Sequence, residues 1–191
     1  MGNRNTKRPA VFLDRDGTVI FDKNYLSKPE QVKLYSCAAE SINKLRKAGF
    51  KIIVVTNQSG IARGMFTIKD LDKVNKKFVS LLKESGAKID GLYYCPHADK
   101  DKCSCRKPLA GMVFRAAKEH NIDIAKSYTV GDSIRDYLLG FNAGTQGGVM
   151  TLTGHGKKQQ KEIASQKVKP LAVLKNLKQA ANFIVKNAKK N

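Results

Sequence analysis

Short apolar segments alternate with amphipathic helical patterns along most of this chain, and the alternation restricts its fold more than any other feature. Strands are predicted at residues 10–13, 51–55, 91–94, 128–130 and 148–152. Helices are predicted at residues 36–48, 68–85, 111–120, 133–142 and 170–188. Strands that alternate with helices form a parallel sheet that is covered by helices on both faces. The sequence therefore predicts an α/β protein, with a Rossmann-like parallel sheet as the middle of three αβα layers.

Length and hydropathy favour one domain, which we predict to span residues 1–191. Within it, the core motifs occupy about residues 10–154, a polar connection spans 155–169 and a C-terminal helix spans 170–188. No apolar run approaches the ~20 residues of a membrane span. The first ten residues also lack the apolar segment of a secretory signal. We therefore expect a cytoplasmic protein without a membrane partner, and we expect it to be a monomer.

The chain is strongly basic, with a formal net charge of +20. Residues 155–191 contain ten lysines and a single acid, Glu162. Such a balance can indicate a nucleic-acid or anionic-surface partner, so a basic nucleic-acid-binding protein is one alternative. Phe183 is the only aromatic residue in this stretch, however, and base stacking needs more of them. We expect the lysines to form a solvated surface and expect no nucleic-acid partner.

Polar and reactive side chains follow four of the predicted strands. These segments are Asp14–Thr18, Thr56–Gly60, Arg106–Pro108 and Gly131–Asp132. Functional loops of a parallel sheet lie at the carboxyl ends of its strands. The four segments are therefore predicted to meet at one edge of the sheet.

The residue types at this edge suit phosphate chemistry. Asp14 and Asp16 can bind Mg²⁺ while one oxygen acts as a nucleophile and the other acid moves a proton. Asp132 can complete the metal site, although Asp132 or Asp136 could also be an acid at a helix N-terminus. Lys107 offers a compact cation for a phosphate group. Thr56 and Asn57 can donate hydrogen bonds to phosphate oxygens or cap the next helix.

Three cysteines and one histidine lie close together in the sequence. Cys95, His97, Cys103 and Cys105 form a C-x-H-x5-C-x-C set. Three thiolates and one imidazole suit tetrahedral Zn²⁺, and four protein ligands leave no open position, so the predicted zinc is structural. The alternative is a loop of reduced thiols. The set leads directly into Lys107, so the zinc is predicted to fix the loop that carries it.

These motifs, in this order, resemble the haloacid dehalogenase superfamily of phosphatases and phosphotransferases. The resemblance implies that Asp14 is the nucleophile that forms an aspartyl-phosphate and that Asp16 is the general acid and base. It also implies that Thr56 and Lys107 hold the phosphoryl group. Mg²⁺ is expected to bind Asp14, the backbone carbonyl of Asp16, and Asp132.

The spacing of the motifs leaves no room for a separate cap domain. Only 37 residues separate Thr18 from Thr56, and 50 separate Thr56 from Lys107. We therefore predict the haloacid dehalogenase fold without a cap, and an open site in which loops contact the substrate. The predicted substrate-binding residues are Asp22, Tyr25, Asn57, Gln58, Ser59, Arg63 and Arg106.

The zinc loop resembles one branch of that superfamily, which has heptose bisphosphate phosphatases and histidinol-phosphate phosphatases. Residues 56–66, 105–112 and 152–156 look more like the heptose enzymes. The implied function is Mg²⁺-dependent removal of the 7-phosphate of a heptose 1,7-bisphosphate, a step in making nucleotide-activated heptose for lipopolysaccharide. The partner is then a small phosphorylated sugar. A histidinol-phosphate phosphatase is the alternative, and a polynucleotide 3′-phosphatase is a more distant one.

Overall fold

The computed structural model describes residues 6–189, and within them six strands form one sheet. The strands are β1 (Ala10–Leu13), β2 (Lys51–Asn57), β3 (Gly91–Cys95), β4 (Tyr128–Gly131), β5 (Gly147–Thr151) and β6 (Ala172–Leu174). The helices are α1 (Ala38–Lys47), α2 (Ile68–Glu84), α3 (Gly111–His120), α4 (Ile134–Ala143), α5 (Gly156–Gln159) and α6 (Leu177–Ala188). The strand order is β3-β2-β1-β4-β5-β6, and every neighbouring pair is parallel.

The sheet separates two apolar cores, as the alternation of buried side chains along β1 shows. Val11 and Leu13 belong to the core on one face, while Ala10 and Phe12 belong to the core on the other. Successive side chains of a strand point to opposite faces, so a strand buried on both faces is apolar throughout. Helices α1, α2 and α6 contribute to the first core, and α3 and α4 to the second. The predicted three-layer α/β fold is therefore confirmed.

The prediction for the last helix is wrong at its start. Residues 172–174 form β6, which pairs with β5, and α6 begins only at Leu177. Pairing with β5 makes residues 172–174 a strand, and the Asn176 side chain accepts a hydrogen bond from the backbone N–H of Gln179 and caps the helix after it. Leu171 and Leu174 happen to continue the helical spacing of the apolar residues, which is why the pattern misplaced the boundary.

The polar connection also has regular structure. It contains α5 and a 3-10 helix at Gln160–Ser165. Between Thr18 and Thr56, the chain forms a 3-10 helix at Pro29–Gln31, α1 and most of β2, as expected for a fold without a cap. Residues 1–5, on which the expectation of no secretory signal rests, lie outside the described residues. Within residues 6–189, no helix has the length and apolar character to cross a membrane.

The sheet order places a crevice beside β1. Chain connections run outward in opposite directions from β1, through β2 on one side and β4 on the other. In open parallel sheets, ligands bind outside the carboxyl ends of the strands at such a switch point. Asp14 follows β1 and Asp132 follows β4, so both carboxylates are placed at the crevice.

Candidate active site

A buried lysine joins two of the carboxylates at the crevice. Lys107 Nζ lies 2.5 Å from Asp14 Oδ1 and 2.7 Å from Asp136 Oδ1, and it donates to the Val55 carbonyl over 2.9 Å. The Lys107 side chain is only 4% exposed. A buried charge is tolerated when it is paired and its hydrogen bonds are satisfied. These three acceptors therefore fix the position of the ammonium group.

Asp136 serves two purposes, of which the sequence analysis predicted only the first. Its Oδ2 accepts hydrogen bonds from the Ser133 backbone at 3.0 Å and the Ser133 hydroxyl at 2.6 Å, which closes the first turn of α4. Its Oδ1 accepts from Lys107. Gly131 lies against this carboxylate so closely that any side chain there would collide with it.

Asp14, Asp132 and Asp136 form a cluster of buried carboxylates. One oxygen of each lies within 4.8 Å of the others. Asp132 Oδ2 accepts a hydrogen bond from the backbone of His155 over 2.6 Å. Gly17 has a φ of +81°, and a side chain there would collide with Asp132, so the turn after Asp16 needs glycine. The cluster is thus held by the loops after β1, β4 and β5.

The electrostatics of the cluster favour a bound cation. Burial raises the pKa of Asp14 to about 7, and repulsion from Asp136 and Asp16 adds to the rise while Lys107 opposes it. Burial also raises the pKa of Asp132 to about 8, with repulsion from Asp14 and Asp136. For Lys107, burial lowers the pKa, but attraction to Asp136 and Asp14 outweighs it and the net pKa is raised. One lysine does not offset these acids, and oxygen-rich clusters of this kind suit Mg²⁺.

Asp16 lies beside the cluster and is held by a different set of donors. Its Oδ2 accepts from Arg15 Nε at 3.1 Å, Gln58 Nε2 at 2.9 Å and Thr56 Oγ1 at 3.3 Å. Its Oδ1 accepts from Arg15 Nη2 at 3.2 Å. Gln58 Nε2 also donates to Thr56 Oγ1 over 2.8 Å. Thr56 and Gln58 therefore both contact Asp16, and both also line the cleft.

Asn57 holds the backbone of the lysine. Its Nδ2 donates to the Lys107 carbonyl over 3.2 Å, and its Oδ1 accepts from the Lys107 N–H over 3.0 Å. Both ends of the amide are therefore used to connect the end of β2 to the loop that carries Lys107. Asn57 also lines the cleft, where the sequence places it as a substrate contact.

The predicted zinc ligands converge on one point. Cys105 Sγ lies 3.0 Å from Cys95 Sγ and 3.6 Å from Cys103 Sγ, and Cys95 Sγ lies 3.6 Å from Cys103 Sγ. His97 Nδ1 lies 3.6 Å from Cys95 Sγ and 3.4 Å from Cys105 Sγ. A tetrahedral zinc with bonds of about 2.3 Å to sulfur needs ligand separations of roughly 3.5–3.8 Å. Four of the five separations lie close to that range, and the side chains fit such an ion once Cys95 Sγ and Cys105 Sγ, now 3.0 Å apart, move slightly apart.

The protonation chemistry of one thiol also fits a metal. Burial raises the pKa values of Cys95 and Cys105. Burial also acts to raise the pKa of Cys103, but hydrogen bonds from the Arg106 backbone and from the Cys105 and Cys95 thiols outweigh it and lower this pKa to about 7. The thiolate is the form that binds a metal. Cys37, at the N-cap of α1, is not part of this group.

A cleft of about 650 Å³ opens over Asp14, Asp132 and Lys107. The predicted residues that line it are Asp14, Asp16, Asp22, Tyr25, Thr56, Asn57, Gln58, Ser59, Arg106, Lys107 and Asp132. The sequence analysis missed Arg135, His155, Lys158, Gln159, Glu162 and Gln166, which line the same cleft. Most of these belong to the polar connection, and only their position after β5 could have pointed to them.

The two predicted arginines differ in position. Arg106 lines the cleft, donates to both oxygens of Asp99 at 2.8 and 3.3 Å, and donates to the His97 carbonyl at 3.1 Å. Arg63 is exposed and does not line the cleft, but its guanidinium lies 5.8 Å from the ring centre of Tyr25, which does. Arg135 lies 3.6 Å from the same Asp99 carboxylate.

Comparisons with known proteins assign the chain to a family. A family model described as "Polynucleotide kinase 3 phosphatase" matches residues 10–162. The D-glycero-beta-D-manno-heptose-1,7-bisphosphate 7-phosphatase of Helicobacter pylori strain J99 is 41% identical over 139 residues, which cover 72% of this chain and 80% of that protein. The chain belongs to the polynucleotide kinase 3 phosphatase family and groups with its heptose bisphosphate phosphatases.

Two further heptose bisphosphate phosphatases are similar to this chain. The Escherichia coli K12 protein of the same name is 38% identical over 155 residues, covering 76% of this chain and 80% of that protein. A D,D-heptose 1,7-bisphosphate phosphatase from B. bronchiseptica, solved with magnesium and phosphate, has a TM-score of 0.83 and 31% identity. That match covers 94% of this chain and 99% of the other. The resemblance to haloacid dehalogenase phosphatases of this branch is therefore confirmed.

Proposed function

We propose that this protein is a Mg²⁺-dependent phosphatase that removes the 7-phosphate of D-glycero-D-manno-heptose 1,7-bisphosphate. The observation that carries the proposal is the convergence of Asp14, Asp16, Lys107 and Asp132 in one cleft at the switch point of the sheet. The identity of the sugar is inferred from the names of the relatives. The heptose bisphosphate phosphatases of H. pylori and E. coli are 41% and 38% identical to this chain over the matched residues.

In the first step, a carboxylate oxygen of Asp14 forms a bond to phosphorus, and the bond from phosphorus to the sugar oxygen breaks. The electron pair goes to the sugar oxygen, which takes a proton from Asp16. In the second step, water attacks phosphorus and gives a proton to Asp16, and the electron pair of the breaking bond returns to Asp14. Support comes from the position of both side chains on the cleft, two residues apart on the turn after β1.

Lys107 and Thr56 are the proposed holders of the phosphoryl group. Lys107 already contacts Asp14, so its ammonium charge lies where negative charge gathers as the phosphoryl group arrives. Asp136 and Asn57 keep Lys107 in place through its side chain and its backbone. Thr56 Oγ1 contacts Asp16, so its hydroxyl is within reach of the same group.

Asp14, the backbone carbonyl of Asp16, and Asp132 are the proposed ligands of Mg²⁺. Magnesium bound there would neutralise part of the charge of the phosphate and of the acids around it. The raised pKa values of Asp14 and Asp132 support this assignment, because a cation would favour their ionised forms. The B. bronchiseptica relative was solved with magnesium and phosphate, which is consistent with it.

Cys95, His97, Cys103 and Cys105 are the proposed ligands of a structural Zn²⁺. Zinc would hold the loop between β3 and Lys107 in one conformation. The loop also includes Arg106, so the same ion would set the positions of two cations of the cleft.

The second phosphate of the substrate needs cations besides Lys107. The cleft offers Arg106, Arg135 and Lys158. Charge-assisted hydrogen bonds to arginine suit a phosphate, while the ammonium group of histidinol phosphate would be repelled. Arg106, Arg135 and Lys158 are therefore better suited to a second phosphate than to the ammonium group of histidinol phosphate. We further propose that the protein works as a single domain and a monomer in the cytoplasm.

A second candidate is a polynucleotide 3′-phosphatase, which the description of the matching family model favours. The net charge of +20 is compatible with a nucleic-acid substrate. Against it, few side chains of the described lining could stack on bases, because Tyr25 and His155 are the only ones among them with aromatic rings.

A comparison of initial rates separates the candidates. The substrates are heptose 1,7-bisphosphate, histidinol phosphate, fructose 1,6-bisphosphate and a 3′-phosphorylated oligonucleotide, with phosphate release as the readout. The heptose bisphosphate should have the highest kcat/KM. A higher kcat/KM for histidinol phosphate or for the oligonucleotide would replace the proposed substrate. The Asp14→Asn variant controls for contaminating phosphatases.

A further inference from the structure

Arg15 stands between the two aspartates of the turn after β1, and its side chain is completely buried, with 0% exposure. It therefore cannot touch a substrate in the cleft. Taking a guanidinium out of water is costly unless it is paired. Its side-chain partners among the described residues are Asp16 and Asn75.

The contact with Asp16 is two-pronged. Arg15 Nε donates to Asp16 Oδ2 at 3.1 Å, and Arg15 Nη2 donates to Asp16 Oδ1 at 3.2 Å while also lying 2.9 Å from Oδ2. A planar fork that meets a carboxylate in this way fixes the rotation of the carboxylate as well as its position. A lysine, with a single point charge, does not fix the rotation of the carboxylate.

The other end of the guanidinium is anchored outside the active site. Arg15 Nη1 donates to Asn75 Oδ1 over 2.6 Å, and Asn75 lies in the middle of α2. Helix α2 is fixed by the buried side chains of Leu71, Val74 and Phe78 on either side of this position. Asn75 thus connects the rigid helix to Asp16 through Arg15.

The oxygens of Asp16 are unequally occupied. Oδ2 accepts hydrogen bonds from Arg15, Thr56 and Gln58, whereas Oδ1 accepts one, from Arg15. Oδ1 thus retains acceptor capacity. The Asp16 side chain is 21% exposed and lines the cleft.

We propose that Arg15 is a positioning residue for Asp16, anchored by Asn75, and that it aims Oδ1 at the oxygen of the leaving sugar. The inference rests on the proposed role of Asp16 as the acid that gives the sugar oxygen its proton when the bond to phosphorus breaks. Proton transfer depends steeply on geometry, so a loosened Asp16 should be a poor acid in an otherwise folded protein.

The leaving group provides a readout that structural damage would not reproduce. A sugar alkoxide needs a proton as it leaves, while p-nitrophenolate is stable without one. A badly aimed Asp16 should therefore lower kcat/KM for heptose 1,7-bisphosphate much more than for p-nitrophenyl phosphate. General damage to the site should lower both values equally.

The test uses Asn75→Ala and Arg15→Lys in the full-length protein with Mg²⁺. Lys76→Ala is the matched control, because Lys76 is an exposed neighbour on α2. For the sugar ester, kcat/KM should fall roughly 10-fold in Asn75→Ala and roughly 10- to 100-fold in Arg15→Lys. For the aryl ester, both should stay near the wild-type value. Asn75→Ala keeps Arg15, so it covers the case in which Arg15→Lys does not fold.

The Asp16→Asn variant distinguishes the positioning role of Arg15 from the acid role of Asp16. The comparison uses kcat/KM, which does not include the later attack of water that both esters share. If kcat/KM of Asp16→Asn falls selectively on the sugar ester, but kcat/KM of Asn75→Ala and Arg15→Lys falls equally on both esters or on neither, the role of Arg15 is overturned. If Asp16→Asn itself shows no selectivity between the esters, the proposed role of Asp16 is wrong. Selective loss in all three variants supports both.

Discussion

Lys107 Nζ and Asp14 Oδ1 lie 2.5 Å apart although 93 positions separate the two residues in the chain. Asp14 is delivered by β1, and Lys107 by the loop that follows β3 and the Cys/His cluster. Asn57 fastens the lysine backbone to the end of β2. The pairing of the proposed nucleophile with its cation therefore depends on three neighbouring strands and on the loop that zinc is proposed to hold.

Asp14→Asn should abolish phosphate release, because an amide nitrogen does not replace the carboxylate oxygen as a nucleophile. The fold should survive, since Asn is nearly isosteric, removes a buried charge, and leaves Lys107 paired with Asp136. Phosphate release and thermal unfolding, measured on the same preparation, check both parts. Substantial turnover by a folded Asp14→Asn protein would disprove the nucleophile.

Native protein should contain about one zinc per chain, as a site with four protein ligands implies. Cys103→Ala should lower the melting temperature and the activity together, because Arg106 and Lys107 lie directly after the cluster. Elemental analysis and thermal unfolding provide the measurements. Cys37→Ala is the matched control, since Cys37 lies outside the cluster and should keep both zinc and activity. Protein without bound metal and with freely titrating thiols would refute the site.

Stability without magnesium should fall as pH rises from about 4 to about 8, with zinc retained. The pKa values of Asp14 and Asp132 are raised to about 7 and about 8 in the folded protein. The folded state then binds more protons than the unfolded state between about pH 4 and those values, so the free energy of unfolding decreases through that window. Asp70, Asp99 and Glu119 have lowered pKa values, and their opposite effect lies at lower pH.

Melting temperatures measured across this pH range test whether stability falls as pH rises. Added Mg²⁺ should raise the melting temperature more at the alkaline end of the range. Asp132→Asn is the control, and it should flatten both dependences. A melting temperature that is constant or rises with pH in the magnesium-free wild type would contradict the buried acidic cluster.

The sequence predicted the parts of the fold in which residue pattern and burial agree. The apolar run of β2 is an example, because it depends on residues within one segment. The Cys/His cluster and the aspartates of the turn after β1 could be singled out from the sequence for the same reason. Each has a short spacing and an unusual combination of residue types.

The parts that the sequence did not predict depend on distant contacts. Residues 172–174 become a strand because β5 offers an edge for pairing, and nothing in their own pattern distinguishes them from the helix that follows. Lys158 reaches the cleft only because α5 turns back after β5. The Arg15–Asn75 contact joins residues 60 positions apart through ordinary polar side chains.

Arg106→Ala should reduce kcat/KM for heptose 1,7-bisphosphate by roughly 10- to 150-fold, the effect of losing a hydrogen bond to a charged group. A small monoester without a second phosphate should lose less. Arg63→Ala is the comparison, because Arg63 does not line the cleft and its expected loss is smaller. Kinetics on both esters give the answer, and equal losses by Arg106→Ala on the two would argue against a second-phosphate contact.

The most direct measurement is a ³¹P NMR time course of the protein with Mg²⁺ and D-glycero-D-manno-heptose 1,7-bisphosphate, supplied as both anomers. The signal of the 7-phosphate should be replaced by inorganic phosphate while the signal of the 1-phosphate persists. The same sample with Asp14→Asn should not change. Release of the 1-phosphate first, or no release from either anomer by protein that hydrolyses another substrate of the panel, would contradict the proposed function.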